Sequence, residues 1–213
     1  MSYIFQMSFA SRVLSGMCHR KPPSVQSRAY SAAASSADGS GAYCMNLVKQ
    51  HDFDNYLAGL LVPKEFRDTY FAIRAFNVEI AMIKDQCHGN TMAGRIRFQW
   101  WRDVLEEIYS PEETKKSRLI SNQPVANALY DSIKFSDMNM NIRWFERSLD
   151  ARQKDLASDQ PQTMDDLENY AEQSNSSILY LLLESMGVHE ENAEFAASHI
   201  GVCSGISKYP YIY

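Results

Sequence analysis

The 213 residues are 45% hydrophobic and 12% aromatic, enough apolar content for one sizeable buried core and too little chain for two full domains. The formal net charge of −5 hides an asymmetry: Arg12, Arg20, Lys21 and Arg28 stand in the first 37 residues without an acid, which leaves 17 basic against 26 acidic groups, a formal −9, in the remainder. Nucleic-acid binding relies on Lys and Arg displacing phosphate counterions, so an acidic body argues against a nucleic-acid partner.

Residues 1–37 are rich in Ser and Ala, basic, and without an apolar run long enough for a secretory core. Met1 to Leu14 can gather Ile4, Phe5, Phe9, Val13 and Leu14 on one helical side. This is the composition of a mitochondrial transit peptide, and Arg28-Ala29-Tyr30-Ser31 places the expected cleavage after Tyr30. A domain is expected over 42–207 and a divergent tail over 208–213.

From Ala42 the periodicity is helical, with helices predicted near 42–52, 64–86, 91–109, 123–135, 141–157, 164–187 and 190–206. Breaks fall at Pro63, at Cys87-His88-Gly89-Asn90, at Ser110-Pro111, at Ser121-Asn122 and at Asp159-Gln160-Pro161. Pro124 suits a first helical turn, and Thr163 with Asp166 forms a capping-box start. No strand alternation of useful length occurs. The longest apolar run, Ile178 to Leu183, is far short of the ~20 residues that cross a bilayer, so any membrane contact is expected to be peripheral. Cys18, Cys44, Cys87 and Cys203 contain no C-x-x-C pair, which excludes a disulfide framework or a zinc knuckle as a sequence reading. Adjacent Cys87 and His88 in a turn are poorly placed to share one ion. Asn175-Ser176-Ser177 matches a glycosylation sequon but sits inside a helical pattern, and is read as chance.

Three segments carry the informative chemistry. The helix from Val62 to Asp85 is apolar on nearly every side, as a central helix of a bundle is. At about 100° per residue its Arg74, Asn77, Ala81, Lys84 and Asp85 share one stripe, with Glu79 opposite. Such a stripe faces either a cavity, a buried polar network or solvent. In the next helix Phe98, Trp101, Leu105 and Ile108 form a core face, whereas Arg95, Arg97 and Arg102 either bind an anion or lie on the exposed side. In the last long helix Leu167, Tyr170, Ala171, Ser174, Ile178, Leu181 and Leu182 share a face. Its small Ser174, Ser176 and Ser177 admit close approach by a helix or a ligand.

Taken together, Leu61-Val62-Pro63 with Arg67, Ala72-Ile73-Arg74-Ala75-Phe76, Trp100-Trp101-Arg102-Asp103 with Leu105 and Tyr109, and Leu167-Glu168-Asn169-Tyr170 resemble the squalene/phytoene synthase family in order and spacing. The resemblance covers residues 43 to about 201. It implies an all-α, isoprenoid-synthase-like helical bundle, incomplete at the C-terminus. Through Ala75-Phe76-Asn77-Val78-Glu79, Leu167 to Glu172 and Ala196-Ala197-Ser198-His199-Ile200-Gly201 the chain is most similar to a branch of that family that serves the assembly of respiratory complex I. That branch implies complex I subunits or assembly intermediates as partners and peripheral association with the matrix side of the mitochondrial inner membrane.

Active members of the family hold magnesium and diphosphate through D-x-x-x-D on the central helix; here the first position is Ala81 and only Asp85 remains. A family arginine falls on Val78, and two family glycines fall on Ser176 and Leu179. A second Asp-rich motif is due after Gly201, where the chain reads Val202 to Tyr213 instead. The expectation is therefore a pseudoenzyme with no catalytic residue, no bound metal and no cofactor. Arg74, Asn77, Ala81, Lys84, Asp85 and Arg102 are expected to outline a vestigial diphosphate or metal site. The alternative is a magnesium-dependent prenyltransferase of the phytoene/squalene synthase type.

Overall fold

The computed structural model describes residues 30–110, 116–135, 139–157 and 161–208, with backbone only for 30–38 and Ala157. Every regular element among them is helical: α1 Tyr30–His51, α2 Phe53–Leu61, α3 Lys64–Gln86, α4 Thr91–Tyr109, α5 Arg118–Ser121, α6 Pro124–Lys134 and α7 Ile142–Ala157. There follow α8 Met164–Ala171, a π-helical turn Glu172–Ser176, α9 Ser177–Ser185 and α10 Glu191–Lys208.

The all-α expectation holds, and α3, α4, α6 and α7 begin and end within about two residues of the periodicity reading. Pro124 occupies the first turn of α6, and Thr163 and Asp166 form the reciprocal capping box: Thr163 Oγ1 accepts from the Asp166 amide at 3.1 Å, while Asp166 accepts from the Thr163 amide at 3.1 Å. The expected leader lies outside the described residues up to 29; from Tyr30 the backbone is already helical, in keeping with the Ser-Ala-rich run there. The tail beyond Lys208 also lies outside them.

α2 was not anticipated. The periodicity reading placed no helix between 52 and 64; Gly59 within α2 is there for contact, since a Cβ on it would stand 2.6 Å from Tyr70 and 2.7 Å from Phe71. Arg67 closes the end of α2 by donating from Nη2 to Leu60 O at 3.0 Å and Val62 O at 2.9 Å. The long helix expected over 164–187 is divided by the π-helical turn, where hydroxyls of Ser174 and Ser177 donate to Tyr170 O and Gln173 O, each at 2.7 Å. Between α3 and α4, Cys87 is buried and His88 exposed, with His88 (φ 46) and Gly89 (φ 82) in the left-handed region. Asn90 then caps α4 through the Ala93 amide at 3.1 Å.

α3 is the centre of the bundle, packed against α2, α4, α6, α7 and α9. Its Tyr70 to Val78 are all buried, which is why this stretch is apolar on nearly every face. Phe76 stands edge-on to Trp101 of α4 at 5.1 Å and to Phe145 of α7 at 5.2 Å, so one ring joins three helices. On the far side of α9, α10 lies against the π-helical turn and α8. Asn175 of the sequon is half-buried there beside fully buried Ser176 and Ser177, no place for a glycan.

That contact also holds a titratable group. Glu172 accepts from Ser198 Oγ at 2.9 Å and Tyr180 OH at 3.0 Å, and pairs with Arg147 at 3.3 Å. Burial alone would raise its carboxyl pKa, but the hydroxyl donors and Arg147 outweigh it and hold the pKa below the usual 4.5. A depressed carboxylate pKa contributes stability that is present above the unfolded value and is lost as pH falls through the folded one. Glu172→Gln is therefore expected to lower the thermal midpoint at pH 7 and to flatten its decline below about pH 4.5. Parallel acid limbs for the two proteins would disprove this role.

Candidate functional site

The polar stripe of α3 faces α7, not solvent. Arg74 and Asn77 are each only 8% exposed, and Asn77 Oδ1 accepts from Arg152 Nη2 of α7 at 2.7 Å. Farther along, Lys84 pairs with Asp155 of α7 at 3.2 Å. Ala81 is half-buried between these two links, and Asp85 is exposed at the end of the helix. Arg74 reaches back over the ring of Tyr70, 5.6 Å from guanidinium carbon to centroid. Of the alternatives open from periodicity, a polar network with α7 is realised at Asn77 and Lys84, while Asp85 meets solvent.

Tyr170 of α8 completes this cluster. Burial raises its phenol pKa most, with Arg152 and Lys84 opposing and Asp155 reinforcing, so its hydroxyl shares the field of the α3–α7 pairs. A cleft of ≈ 330 Å³ opens beside it, lined by Asp155, Pro161, Asn169 and Tyr170 among others.

Arg102 belongs elsewhere. It donates to Asp150 Oδ1 and Gln153 Oε1, both at 2.8 Å. On α7 these residues fall on the side away from Arg152 and Asp155 at 100° per residue. With Arg95 and Lys154 they border a separate cleft of ≈ 370 Å³. The structure thus brings together Arg74, Asn77, Ala81 and Lys84, leaves Asp85 at the rim, and places Arg102 across α7. Of the other arginines on α4, Arg95 and Arg97 are exposed, and Arg97 donates to Gln86.

Arg152 and Asp155 were not singled out from the sequence; Tyr170 was, on the shared face of the last long helix and in Leu167-Glu168-Asn169-Tyr170, but without a link to this cluster. α7 reads Ile-Arg-Trp-Phe-Glu-Arg-Ser-Leu-Asp-Ala-Arg-Gln-Lys-Asp-Leu-Ala, a charge density that also fits an ordinary solvated face, and nothing local marks the two residues that turn inward.

The donor set does not suit the magnesium that the resemblance implies. Magnesium takes near-octahedral oxygen ligands, with protein carboxylates supplementing substrate phosphates. Ala81 offers no side-chain oxygen, Asp155 is engaged by Lys84, and Asp85 stands apart at the exposed end of α3. Among the described residues no three His, Cys, Asp or Glu side chains converge on one point. Two cations, Lys84 and Arg152, instead share the cluster with Asn77 and Asp155. Burial pushes the Cys44 thiol, in the core beside α3, up to about 12, with Glu79 adding to the effect, which keeps it a neutral packing group at neutral pH.

This architecture is the helical bundle of the isoprenoid-synthase class. A crystal structure of a dehydrosqualene synthase in complex with ligand superposes on 78% of this chain and 54% of that one with a TM-score of 0.57 at 24% identity, a likeness of fold. The sequence profile of the squalene/phytoene synthases matches residues 48–209, and the chain belongs to that family. Among its curated relatives, the protein named "NADH dehydrogenase (ubiquinone) complex I, assembly factor 6" in Homo sapiens is 38% identical over 205 residues, 90% of this chain and 59% of the relative. The homologue of that name in Drosophila melanogaster is 34% identical over 171 residues, 80% of this chain and 50% of that one. The Dictyostelium discoideum homologue is 32% identical over 186 residues, 86% and 49%. The chain spans between about half and three-fifths of the length of these relatives.

Proposed function

We propose that the chain is a non-catalytic mitochondrial factor that acts early in the assembly of respiratory complex I, by protein interaction at the matrix side of the inner membrane. The observation that carries this reading is the 38% identity, over 90% of the chain, to a relative named as a complex I assembly factor. The groove supports it from the chemical side. Asn77 and Lys84, on the helix where a prenyltransferase presents metal-binding carboxylates, are committed to Arg152 and Asp155. Charge that is paired across two helices ties the bundle together; it does not leave oxygen ligands open to an ion. No helix among the described residues is long and apolar enough to cross a membrane, which agrees with attachment from one side.

The test has two arms. The tagged full chain, captured from mitochondria, is expected to bring complex I assembly intermediates with it. The purified chain, given labelled farnesyl or geranylgeranyl diphosphate and magnesium, is expected to yield no C30 or C40 hydrocarbon. Magnesium-dependent product that disappears in Asp85→Ala would overturn the reading and establish the prenyltransferase.

A further inference from the structure

The cleft around Arg102 gathers positive charge on an acidic body. Gly94 of α4 rests against Leu156 of α7, where an added Cβ would stand 2.4 Å from the leucine, and Arg102 meets Asp150 and Gln153. The two helices therefore run antiparallel, and their seam carries the cleft of ≈ 370 Å³. Arg95, Arg102 and Lys154 border it with one carboxylate, Asp150, whose side chain is 55% exposed. Arg102 is held through a single nitrogen, Nη2, which makes both of its 2.8 Å hydrogen bonds. Its Nε and Nη1, and the charged groups of exposed Arg95 and Lys154, meet no acceptor among the described residues. Asp103, next to Arg102 in sequence, is engaged by Gln99 at 2.8 Å. At 100° per residue Glu106 continues the stripe of Arg95 and Arg102, and Glu146 that of Asp150 and Gln153. Both glutamates are exposed, so the seam runs from a basic end at Arg95 and Lys154 to an acidic end at Glu106 and Glu146.

We propose that this seam docks an acidic segment of a protein partner, whose carboxylates seat on Arg95, Lys154 and the open edge of Arg102. The inference rests on the protein-interaction reading proposed above and adds where on the chain, and by which chemistry, that contact is made. Charge complementarity identifies the occupant. Residues 38–213 sum to a formal −9, so most of the body repels an acidic partner. Such a partner is admitted where cations stand unpaired, which fixes its position and direction more than it adds affinity. Spacing points the same way. Arg95 and Arg102 are seven residues apart, about 10 Å along α4 at ~1.5 Å per residue. Carboxylates spread along a peptide meet them one at a time, whereas the compact dianion of a phosphate between them would also face Asp150. A bilayer fits less well, because anionic headgroups pressed onto the basic end would meet Glu106 and Glu146 at the other.

The experiment titrates the full chain into a labelled peptide of repeated Glu-Ala-Ala, followed by fluorescence anisotropy, beside its Gln-Ala-Ala analogue. Arg95→Glu/Lys154→Glu reverses the basic end. Lys64→Glu/Arg118→Glu changes the net charge equally at other exposed cations and is the control. All four side chains are exposed, so both variants should keep the circular dichroism and thermal midpoint of the parent. The parent is expected to bind the Glu peptide and not the Gln analogue, more weakly as salt rises. Arg95→Glu/Lys154→Glu should lose affinity roughly 10-fold or more, and the control less than about 3-fold. No binding by the parent, equal binding by Arg95→Glu/Lys154→Glu, or an equal loss in the control overturns the proposal. Displacement of the peptide by stoichiometric inorganic phosphate overturns it in favour of a phosphate-bearing small molecule. Flotation with phosphatidylcholine–cardiolipin vesicles that Arg95→Glu/Lys154→Glu abolishes, without peptide binding, overturns it in favour of a membrane. Captured from mitochondria, Arg95→Glu/Lys154→Glu should bring several-fold less of the complex I intermediates than the control. Undiminished capture removes the cleft as the docking surface and leaves the proposed function standing. If the parent captures none yet binds the peptide through the cleft, the proposed function falls and the acidic-segment site stands.

Discussion

Phe76→Ala is expected to destabilise the fold by about 3–5 kcal/mol, the usual range for deleting a buried aromatic ring. Phe76 has no exposed surface, and its ring meets Trp101 and Phe145 edge-on at 5.1 and 5.2 Å. The substitution thus removes apolar burial and two aromatic contacts worth ~0.5–1.5 kcal/mol each beyond area. It also opens a cavity between α3, α4 and α7, which cannot close because Trp101 and Phe145 are themselves buried against further core residues. A single domain has ~5–15 kcal/mol in total, so the variant should populate unfolded chain at ambient temperature. Urea denaturation followed by circular dichroism measures the loss. Phe195→Ala, at a ring 66% exposed on α10, is the control and should change stability by less than about 0.5 kcal/mol. A cost below about 1 kcal/mol at Phe76 would show that the three helices are not joined there.

The same core explains how much was legible from the amino-acid order. Where a helix buries one face, as α4 does with Phe98, Trp101, Leu105 and Ile108, the apolar spacing and the boundary both follow from periodicity. The caps at Thr163 and Pro124 were legible because they use short-range hydrogen bonding and fixed φ. α2 was not, since Gly59 signals a break until Tyr70 and Phe71 are known to lie against it. In the candidate site, the stripe Arg74, Asn77, Ala81 and Lys84 could be drawn on one helix, but its partners could not. Arg152 and Asp155 are ordinary charged residues of a charged helix until α7 is laid across α3. Arg102 shows the converse: it belongs to the family-like Trp100-Trp101-Arg102-Asp103 motif in sequence, while its partners Asp150 and Gln153 lie on the side of α7 away from Arg152 and Asp155. Pairing across helices is a property of packing, and no spacing rule within one helix contains it.

Gly201→Ala tests the closest of these approaches, and the sign of its effect is the informative part. In an open helical position, replacing glycine by alanine stabilises by ~1 kcal/mol, because alanine loses less backbone freedom on folding. Gly39 of α1 is such a position, with nothing within 4 Å of an added Cβ. At Gly201 the added Cβ would lie 2.2 Å from Ser176 Oγ, 2.6 Å from Ser176 Cα and 2.7 Å from Ser176 N. A hydroxyl could rotate aside, but the backbone of the π-helical turn cannot, so α10 must move off it. That movement stretches the Ser176 Oγ donation to Ser198 O, now 3.1 Å, and the Ser198 Oγ donation to Glu172, now 2.9 Å. Overpacking of this kind costs ~1–3 kcal/mol, and two weakened hydrogen bonds add ~1 kcal/mol or more, which together exceed the propensity gain. Gly201→Ala should therefore lower the denaturation midpoint by an amount equivalent to about 1–3 kcal/mol, while Gly39→Ala leaves it unchanged or raises it. It should also weaken the protection of Glu172, raising its carboxyl pKa toward the ordinary range as the Ser198 donor withdraws. A Gly201→Ala protein as stable as the parent, with the acid limb of its stability curve unchanged, would mean that α10 does not rest on the π-helical turn at this distance.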